Sequence, residues 1–409
     1  AGSDFDFVSA ASSEFAGIVY DETATGFPAE SGRTVTLEFE RPALNVTKEV
    51  RNVTLSGTFD VTAEGDASDV FEYRITLENT GSEPAIGLSI IDAVTDALAI
   101  LAFATDTIDN DGDGASEEPD EGTVAGQVIT FNRTTTDEGK LAQLGDGETL
   151  TLLYRATANA SVNPSEDLVN SADYLFDTLD GASGSQTSPT GANNASNGAF
   201  EDGDTVTATI TIAAVDLTKT LTLTSVGADT STDLVVGEQA SFELAIVLPA
   251  GTVENFIVED ALPEGLALVA RDAVVFGSGV SCATSTTLPA SLPASGDPLS
   301  ASWDFGTCTI NPVAEADRTV TVGYIGQVEN IAAVEDGDTL TNAALFNHDG
   351  LSNPIVAVPV DLTIVEPNLT LSLVASPTSN IDAGQLVTVT YTLGNSGNAP
   401  AFNVDLATL

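Results

Sequence analysis

Two of the three lysines in this chain of 409 residues lie at matching places. Lys48 lies in the segment LNVTKEV and Lys219 in VDLTKTL, and each is followed at a similar distance by an aspartate and then by an asparagine. The separation from lysine to asparagine differs by one residue between the two sets. The sets are Lys48, Asp92 and Asn170, and Lys219, Asp260 and Asn342.

These three residue types could form an amide bond between two side chains without an enzyme. Burial in an apolar core lowers the pKa of a lysine and leaves a neutral amine, which is a nucleophile. The same burial keeps an aspartic acid protonated, so that it can polarise the asparagine carboxamide and move a proton while ammonia leaves. A bond that closes a loop of about 122 residues would contribute roughly 4 to 5 kcal/mol and would resist pulling.

A simpler interpretation is that Lys48 and Lys219 are exposed residues at the start of strands, and that the asparagines form turns. A third segment of the same pattern, PNLTLSL, bears on the choice. Alignment places Leu371 at its lysine position and Thr408 at its aspartate position, so both polar members are lost together. This joint loss favours a shared role, although the sequence leaves both interpretations open.

The segment DNDGDGASEEPD, residues 109–120, has the spacing of a calcium-binding loop. Oxygen ligands at alternate positions around a glycine that permits a tight bend are suited to a hard cation. The loop ends in aspartate instead of glutamate and has no flanking helices, so a solvated acidic loop is the alternative. The candidate ligands are Asp109, Asp111, Asp113, Ala115, Glu117 and Asp120.

Cys282 and Cys308 are the only cysteines and predict one disulfide, provided that the protein is extracellular. Two reduced and buried cysteines are the alternative. Zinc binding by these cysteines with His348 is disfavoured, because a fourth ligand and the usual metal spacing are missing.

The charge and composition of the chain exclude several classes of function. A formal net charge of −50 repels nucleic acid and anionic lipid. No apolar run is long enough to cross a bilayer, so membrane insertion is not expected. One histidine and no methionine leave few side chains for acid–base or metal chemistry, and we expect no enzyme. A carboxylate-dependent glycosidase stays as a remote alternative, because carboxylates are abundant and their pairing depends on geometry.

Alternation of apolar and polar residues is the dominant pattern along the chain. It is clear in FEYRITLEN (71–79), TVTATITI (205–212) and LVTVTYTL (386–393), and turn sequences separate such segments. A period of two is typical of half-buried antiparallel strands. The predicted fold class is all-β, with sandwiches as the architecture.

Self-similarity divides the chain into repeated units, since the segments beginning at residues 44, 215 and 367 share one pattern. The predicted organisation is tail strands of a preceding unit, or donated strands, at 1–40; a first full unit with the acidic insertion at 41–213; a second full unit with the disulfide at 214–365; and the head of an incomplete unit at 366–409.

The repeat pattern resembles a known family. A lysine-bearing first strand, an alternating strand ending in Asn-x-Gly, the segment EDALPEGLALV (259–269) and a late Asn-x-Ala strand are similar to the conserved bacterial surface repeat called domain of unknown function eleven. The resemblance implies immunoglobulin-like β-sandwiches in a tandem, elongated array on secreted or cell-surface proteins, with no catalytic activity.

The expected function is therefore a load-bearing segment of an extracellular filament, stalk or large surface protein. Its expected partners are further copies of itself, joined head to tail by strand complementation, or further repeats of a longer chain. An adhesin module that binds a glycan or a protein through its loops is the alternative.

Overall fold

The computed structural model describes residues 41–101, 122–132, 140–177, 201–283 and 300–406. These residues form β-strands, turns and one short 3-10 helix, Glu315–Arg318, and they contain no α-helix. The all-β prediction is confirmed. No helix in these ranges is long and apolar enough to cross a membrane. The chain divides into two compact units, of which the first comprises Ala1–Asn159 with Asp167–Thr211, and the second Ala160–Glu166 with Ile212–Leu409.

Eleven strands build the first unit, and its alternating segments form the longest of them. They are β1 (Leu44–Asn52), β2 (Thr62–Gly65), β3 (Val70–Asn79), β4 (Ala85–Ala93), β5 (Leu98–Ile100), β6 (Thr123–Ala125), β7 (Val128–Asn132), β8 (Gln143–Leu144), β9 (Thr149–Ala158), β10 (Asp167–Asp177) and β11 (Glu201–Ile212).

Fourteen strands build the described part of the second unit. They are β12 (Asp216–Thr224), β13 (Asp233–Leu234), β14 (Gln239–Val247), β15 (Gly251–Ala261), β16 (Leu266–Arg271), β17 (Val275–Phe276), β18 (Val280–Cys282), β19 (Ser300–Ile310), β20 (Thr319–Val328), β21 (Thr339–Asn347), β22 (Ile355–Val356), β23 (Val360–Ile364), β24 (Leu369–Ser376) and β25 (Thr388–Asn395).

Each unit contains a sandwich of two sheets. In the first unit one sheet has the order β1-β3-β9-β5 and the other β2-β11-β10-β4-β7-β6, with β8 beside β4. In the second unit the corresponding orders are β12-β14-β20-β16, with β17 beside β20, and β13-β23-β21-β15-β19-β18, with β22 beside β21. The first and last long strands of a unit therefore lie in different sheets.

Alternation places the apolar residues of each strand in the core between the sheets. Strand β9 shows regular alternation of buried and less buried positions, and β20 contains a buried tyrosine, Tyr324, among buried valines. Burial of apolar area at about 25 cal/mol per Å² is the main stabilising contribution in such a core. The polar residues that share this core are the exceptions that require an explanation.

Strands β24 and β25 form an antiparallel hairpin whose apolar side chains are exposed. Leu393 is 43% exposed and Tyr391 is 55% exposed, whereas Leu77 and Ile75 on strand β3 of the first unit are completely buried. The hairpin has the alternating pattern of a sandwich sheet. In the described residues, no second sheet covers it.

Backbone conformation supports the equivalence of the three sequence repeats that begin at residues 44, 215 and 367. Gly87, Asn255 and Asn403 have positive φ angles of 61°, 52° and 52°. Glycine and asparagine are the residues that adopt this left-handed conformation most readily. Each lies five residues before the aspartate position of its unit, although the third such position, Thr408, lies outside the described residues.

The hairpin and the first unit also share one turn. Asn79 and Asn395 each accept two backbone hydrogen bonds through Oδ1 and donate one through Nδ2 to the carbonyl four residues later. The strand register pairs Leu44 with Asn79 and Leu369 with Asn395. These two pairs are therefore structural equivalents.

The register corrects one position of the sequence alignment. Leu373 pairs with Tyr391 in the hairpin as Lys48 pairs with Ile75 in the first unit. The counterpart of Lys48 is thus Leu373, two residues after Leu371, and the earlier assignment was wrong by one period of the strand. A leucine occupies the lysine position in both alignments, so the polar member is still absent.

Candidate functional site

A buried ion pair joins the two sheets of the first unit. Lys48 on β1 donates a hydrogen bond to Oδ2 of Asp92 on β4, with 2.6 Å between Nζ and the oxygen. Both side chains are completely inaccessible to solvent. A buried charged pair costs several kcal/mol of desolvation per ion and is weak evidence for stability, so its presence points to another role.

A tyrosine connects this aspartate to the predicted asparagine. The hydroxyl of Tyr154 on β9 donates to Oδ2 of Asp92 at 2.7 Å, and it accepts a hydrogen bond from Nδ2 of Asn170 at 2.5 Å. Asn170 on β10 is completely buried. Four side chains from four strands thus form one continuous chain of hydrogen bonds.

The second unit repeats this arrangement. Nζ of Lys219 lies 2.8 Å from Oδ1 and 2.7 Å from Oδ2 of Asp260. The Tyr324 hydroxyl donates to Oδ2 of Asp260 at 2.8 Å and accepts from Nδ2 of Asn342 at 2.7 Å. The interpretation of the lysines and asparagines as exposed or turn residues is wrong, because all four are buried inside strands.

Strand register explains how residues far apart in sequence meet. Asp92 pairs with Ala172 on β10, and Asn170 lies two residues before that partner. Successive side chains alternate between the faces of a sheet, so Asp92 and Asn170 point to the same face. The other sheet pairs Tyr154 with Tyr73 on β3. The second unit has the same register at the equivalent positions.

Aromatic rings form the wall on the lysine side of each cluster. Tyr73 and Tyr154 are stacked with 5.0 Å between ring centroids, and Nζ of Lys48 lies 5.3 Å from the Tyr73 centroid. The second unit has phenylalanine at the first of these positions, where Phe242 is stacked on Tyr324 at 5.1 Å. The rings exclude water and fix the direction of the tyrosine hydroxyl.

Burial changes the protonation equilibria in the direction that amide formation requires. Desolvation lowers the pKa of Lys48, although Asp92 opposes this shift, and it lowers the pKa of Lys219 to about 8. Desolvation also raises the pKa values of Asp92 and Asp260 above the usual range, against the effect of the lysines. A neutral amine beside a neutral acid is therefore more accessible here than in water.

The asparagine of each cluster has an unsatisfied side-chain carbonyl oxygen within the described part of the chain. Oδ1 of Asn170 and Oδ1 of Asn342 are buried without a hydrogen bond among the described residues, and so is Oδ1 of Asp92. A buried polar atom without a partner costs about 1 to 3 kcal/mol. The carboxamides are thus held by their nitrogens, which are the leaving atoms of the proposed chemistry.

The sequence predicted three members of each cluster but missed the tyrosines. Tyr154 in TLLYRATA and Tyr324 in TVGYIGQV lie at nearly equal distances from their lysines, which is a signal that the sequence contained. It was hidden because a tyrosine in an alternating strand is usually an ordinary core residue.

Two further predicted sites have different outcomes. Cys282 and Cys308 form a disulfide between neighbouring strands, as predicted. The six candidate calcium ligands lie within residues 109–120, outside the described residues. In the ranges that are described, no cluster of metal-ligating side chains occurs, and calcium binding stays a prediction from the sequence.

Comparison with solved structures finds distant likenesses to bacterial surface proteins. The C-terminal domain of the Streptococcus agalactiae AgI/II polypeptide BspA has a TM-score of 0.29 and 10% identity, over 78% of this chain and 100% of that chain. The major pilin subunit BcpA of Bacillus cereus has a TM-score of 0.29 and 9% identity, over 78% and 66%. The major pilin SpaD of Corynebacterium diphtheriae has 0.28 and 11%, over 75% and 55%.

No family model and no curated protein matches the chain. The resemblance to the bacterial surface repeat therefore stays a proposal from the sequence. The likenesses to solved structures are too distant to assign a function, which must be argued from the clusters themselves.

Proposed function

We propose that the chain is a load-bearing segment of an extracellular filament or stalk, reinforced by one Lys–Asn amide bond in each sandwich. The observation that supports this most strongly is the repetition of a completely buried cluster, with the same four roles and the same register, in both units. A lone buried ion pair could be an accident of one core. In both clusters the asparagine nitrogen, which would leave as ammonia, is held by a hydrogen bond to the tyrosine hydroxyl. This repetition supports a common reaction in the two units.

The position of the bond suits resistance to force. Lys48 lies on β1 in one sheet and Asn170 on β10 in the other, so an amide between them would join the first and the last part of the sandwich across its core. Tension applied through the ends of the unit would pass through this covalent bond. The sheets could then not be separated by breaking hydrogen bonds and apolar contacts alone.

Single-molecule pulling tests this proposal. In the wild-type chain, the segment between Lys48 and Asn170 should stay locked while the residues outside it extend. The variant Lys48→Met should release about 400 Å of additional contour length, because about 122 residues extend by roughly 3.3 to 3.6 Å each. Lys140→Met is the matched control, since the Lys140 amine is exposed and donates to the Thr149 carbonyl.

The control variant should extend as the wild type does. Equal contour lengths for the wild type and Lys48→Met would show that no bond spans the first unit, and would contradict the load-bearing proposal.

Self-association is the second part of the proposed function. The exposed apolar side chains of β24 and β25 are those that a sandwich normally buries. Strands β11 and β23 each directly precede the first strand of the next repeat, and the alternating segment RTVTLEFE (33–40) has the same place before β1. Because β11 and β23 lie in the sheet opposite the first strand of their own units, we propose that this segment of a second copy complements the hairpin as a strand of the opposite sheet and covers its apolar face.

Sedimentation velocity over a range of concentrations tests this association. The full chain should form larger species as its concentration rises, since a head-to-tail contact does not close on itself. A chain lacking residues 1–40 should stay monomeric. Monomeric behaviour of the full chain at high concentration would contradict strand complementation, and would leave the intramolecular bonds unaffected.

A further inference from the structure

We propose that Tyr154 and Tyr324 are catalytic residues that relay a proton from the buried aspartate to the leaving nitrogen of the asparagine. This inference rests on the amide-forming function proposed above and assigns the step that lets ammonia leave. The nucleophile and the electrophile alone do not supply this step, because an amide anion is too poor a leaving group to depart without a proton.

The geometry of both clusters places the tyrosine hydroxyl between the donor and the acceptor of that proton. In the first unit the hydroxyl lies 2.7 Å from Oδ2 of Asp92 and 2.5 Å from Nδ2 of Asn170. In the second unit the corresponding distances from Tyr324 are 2.8 Å and 2.7 Å. All four distances place the hydroxyl within hydrogen-bond reach of both groups, as general acid–base catalysis requires.

The tyrosine is the link that both units share. In each unit its hydroxyl makes one hydrogen bond to the aspartate and one to the asparagine. A proton can therefore pass from the aspartate to the asparagine through the same intermediate residue in both units.

The relay can be written with every proton accounted for. One proton passes from Lys48 Nζ to Asp92, which gives a neutral amine and a neutral acid. The amine lone pair attacks Cγ of Asn170, and the electrons of the C=O bond move to Oδ1. The Tyr154 hydroxyl donates to Asp92 and accepts from Nδ2 in the ion-paired state, so it first turns to accept from the protonated Asp92 and to donate to Nδ2, whose lone pair is free in the tetrahedral intermediate. Asp92 then gives its proton to the Tyr154 oxygen while the hydroxyl proton of Tyr154 moves to Nδ2.

Breakdown of this intermediate completes the reaction. The carbonyl reforms, the bond between Cγ and Nδ2 breaks, and ammonia leaves. The carboxylate of Asp92 takes the surplus proton from Nζ, so aspartate and tyrosine end as a neutral acid and a neutral hydroxyl. The products are one amide and one ammonia, and no oxidant or other reactant is required.

The surroundings of Tyr154 suit this role. Burial beside Asp92 keeps the pKa of the hydroxyl well above its usual value, so that it retains a proton to donate. Stacking on Tyr73 fixes the ring, and removal of the hydroxyl alone leaves that stack in place. The Tyr73 hydroxyl lies near Asn170 without making a hydrogen bond of normal geometry, and phenylalanine has the equivalent position in the second unit.

The test compares Tyr154→Phe with Tyr73→Phe in the full chain. Each protein is purified in denaturant from inclusion bodies with unreacted lysines, and is then refolded under conditions that allow the disulfide to form. Samples are quenched at intervals, and peptide mapping by mass spectrometry gives the fraction of amide bond in each unit. Fluorescence of Trp303, the only tryptophan, reports folding of the second unit.

We expect Tyr154→Phe to slow bond formation in the first unit on the order of 10²-fold, the lower end of what a general acid–base contributes. The second unit of the same molecule should react at the wild-type rate, and Tyr73→Phe should react normally in both units. Tyr324→Phe should reverse the pattern, and it provides the test if the first variant does not fold.

Failure of the relay can be distinguished from failure of the proposed bond. Bond formation at the wild-type rate in Tyr154→Phe and Tyr324→Phe would overturn the relay and leave the bond itself established. The absence of any bond in the refolded wild type and in protein purified from the soluble fraction would overturn the proposed function, and the relay with it.

Discussion

Asn170 and Tyr154 meet across the interface between the two sheets, where the carboxamide nitrogen donates to the phenol oxygen at 2.5 Å. Their equivalents in the second unit, Asn342 and Tyr324, meet in the same way at 2.7 Å. Each of these asparagines donates through its side-chain nitrogen to a tyrosine, while its side-chain carbonyl oxygen has no hydrogen-bond partner in the part of the chain that the structure describes. Amide formation gives a reason for this arrangement, and it leads to the following predictions.

Replacing the aspartate should prevent the bond in its own unit only. Asp260→Asn keeps the shape of the side chain but removes the group that accepts and returns a proton. The amide bond should therefore not form in the second unit, and no ammonia should be released from it. Glu259→Gln is the matched control on the same strand, since Glu259 is only partly buried. Peptide mapping should show the bond between Lys219 and Asn342 in the control and not in Asp260→Asn. If the bond forms in both variants, Asp260 is not the group that transfers the proton.

Bond formation in the second unit should slow as the pH rises above about 8. The reactive pair of neutral amine and neutral acid holds one proton in total, the same number as the ion pair, so its population does not change while the pair keeps that proton. Burial lowers the pKa of Lys219 to about 8, and above this pH the pair loses the proton that Asp260 must supply, so the rate at pH 9 should be about one tenth of the rate at pH 6. The rate is measured by quenched mass spectrometry at constant ionic strength. A rate that rises in proportion to the free amine between pH 6 and pH 8 would contradict the transfer of the lysine proton to the aspartate.

The fold and three of the four members of each cluster could be predicted from the sequence because they depend on local pattern and on repeated spacing. Strand alternation gave the sandwiches, and the rarity of lysine made Lys48 and Lys219 conspicuous against the acidic background. The tyrosines could not be identified in this way, since a tyrosine in a strand is the expected core residue. Its role depends on strand register across two sheets, which the spacing of residues along the chain does not specify.

The error at the third unit has a similar cause. The segment LTLSL offers leucines two residues apart, and either could match Lys48 in a period-of-two pattern. The pairing of Leu369 with Asn395 decides between them, because it identifies Leu373 as the residue at the position of Lys48. Patterns of period two determine the face of a strand well and the position along it poorly.

Reduction of the disulfide should destabilise the second unit alone. The bridge between Cys282 and Cys308 closes a loop with a sequence separation of 26, and such a bridge contributes on the order of 3 kcal/mol. The measurement is calorimetric unfolding with and without reductant in the Lys219→Met variant, so that the amide bond does not mask the effect. The transition of the first unit is the internal control and should not move. If reductant leaves the unfolding transition of the second unit unchanged, the disulfide does not stabilise that unit.

Calcium should bind to the acidic segment 109–120. The double variant Asp109→Asn with Asp111→Asn removes two predicted ligands, and titration calorimetry should show that one binding event is lost. Asp336→Asn with Asp338→Asn, in another acidic turn, is the control and should bind as the wild type does. Binding that is equal in both double variants would show that the heat arises from general attraction to the negative surface.

The intact mass of the purified chain shows whether the two Lys–Asn bonds exist. After correction for the disulfide, the wild-type mass should fall short of the sequence mass by two molecules of ammonia, Lys48→Met and Lys219→Met should each fall short by one, and Lys140→Met should fall short by two. A wild-type mass equal to the corrected sequence mass would contradict both bonds. So would the loss of water instead of ammonia, because it would make the aspartates the electrophiles.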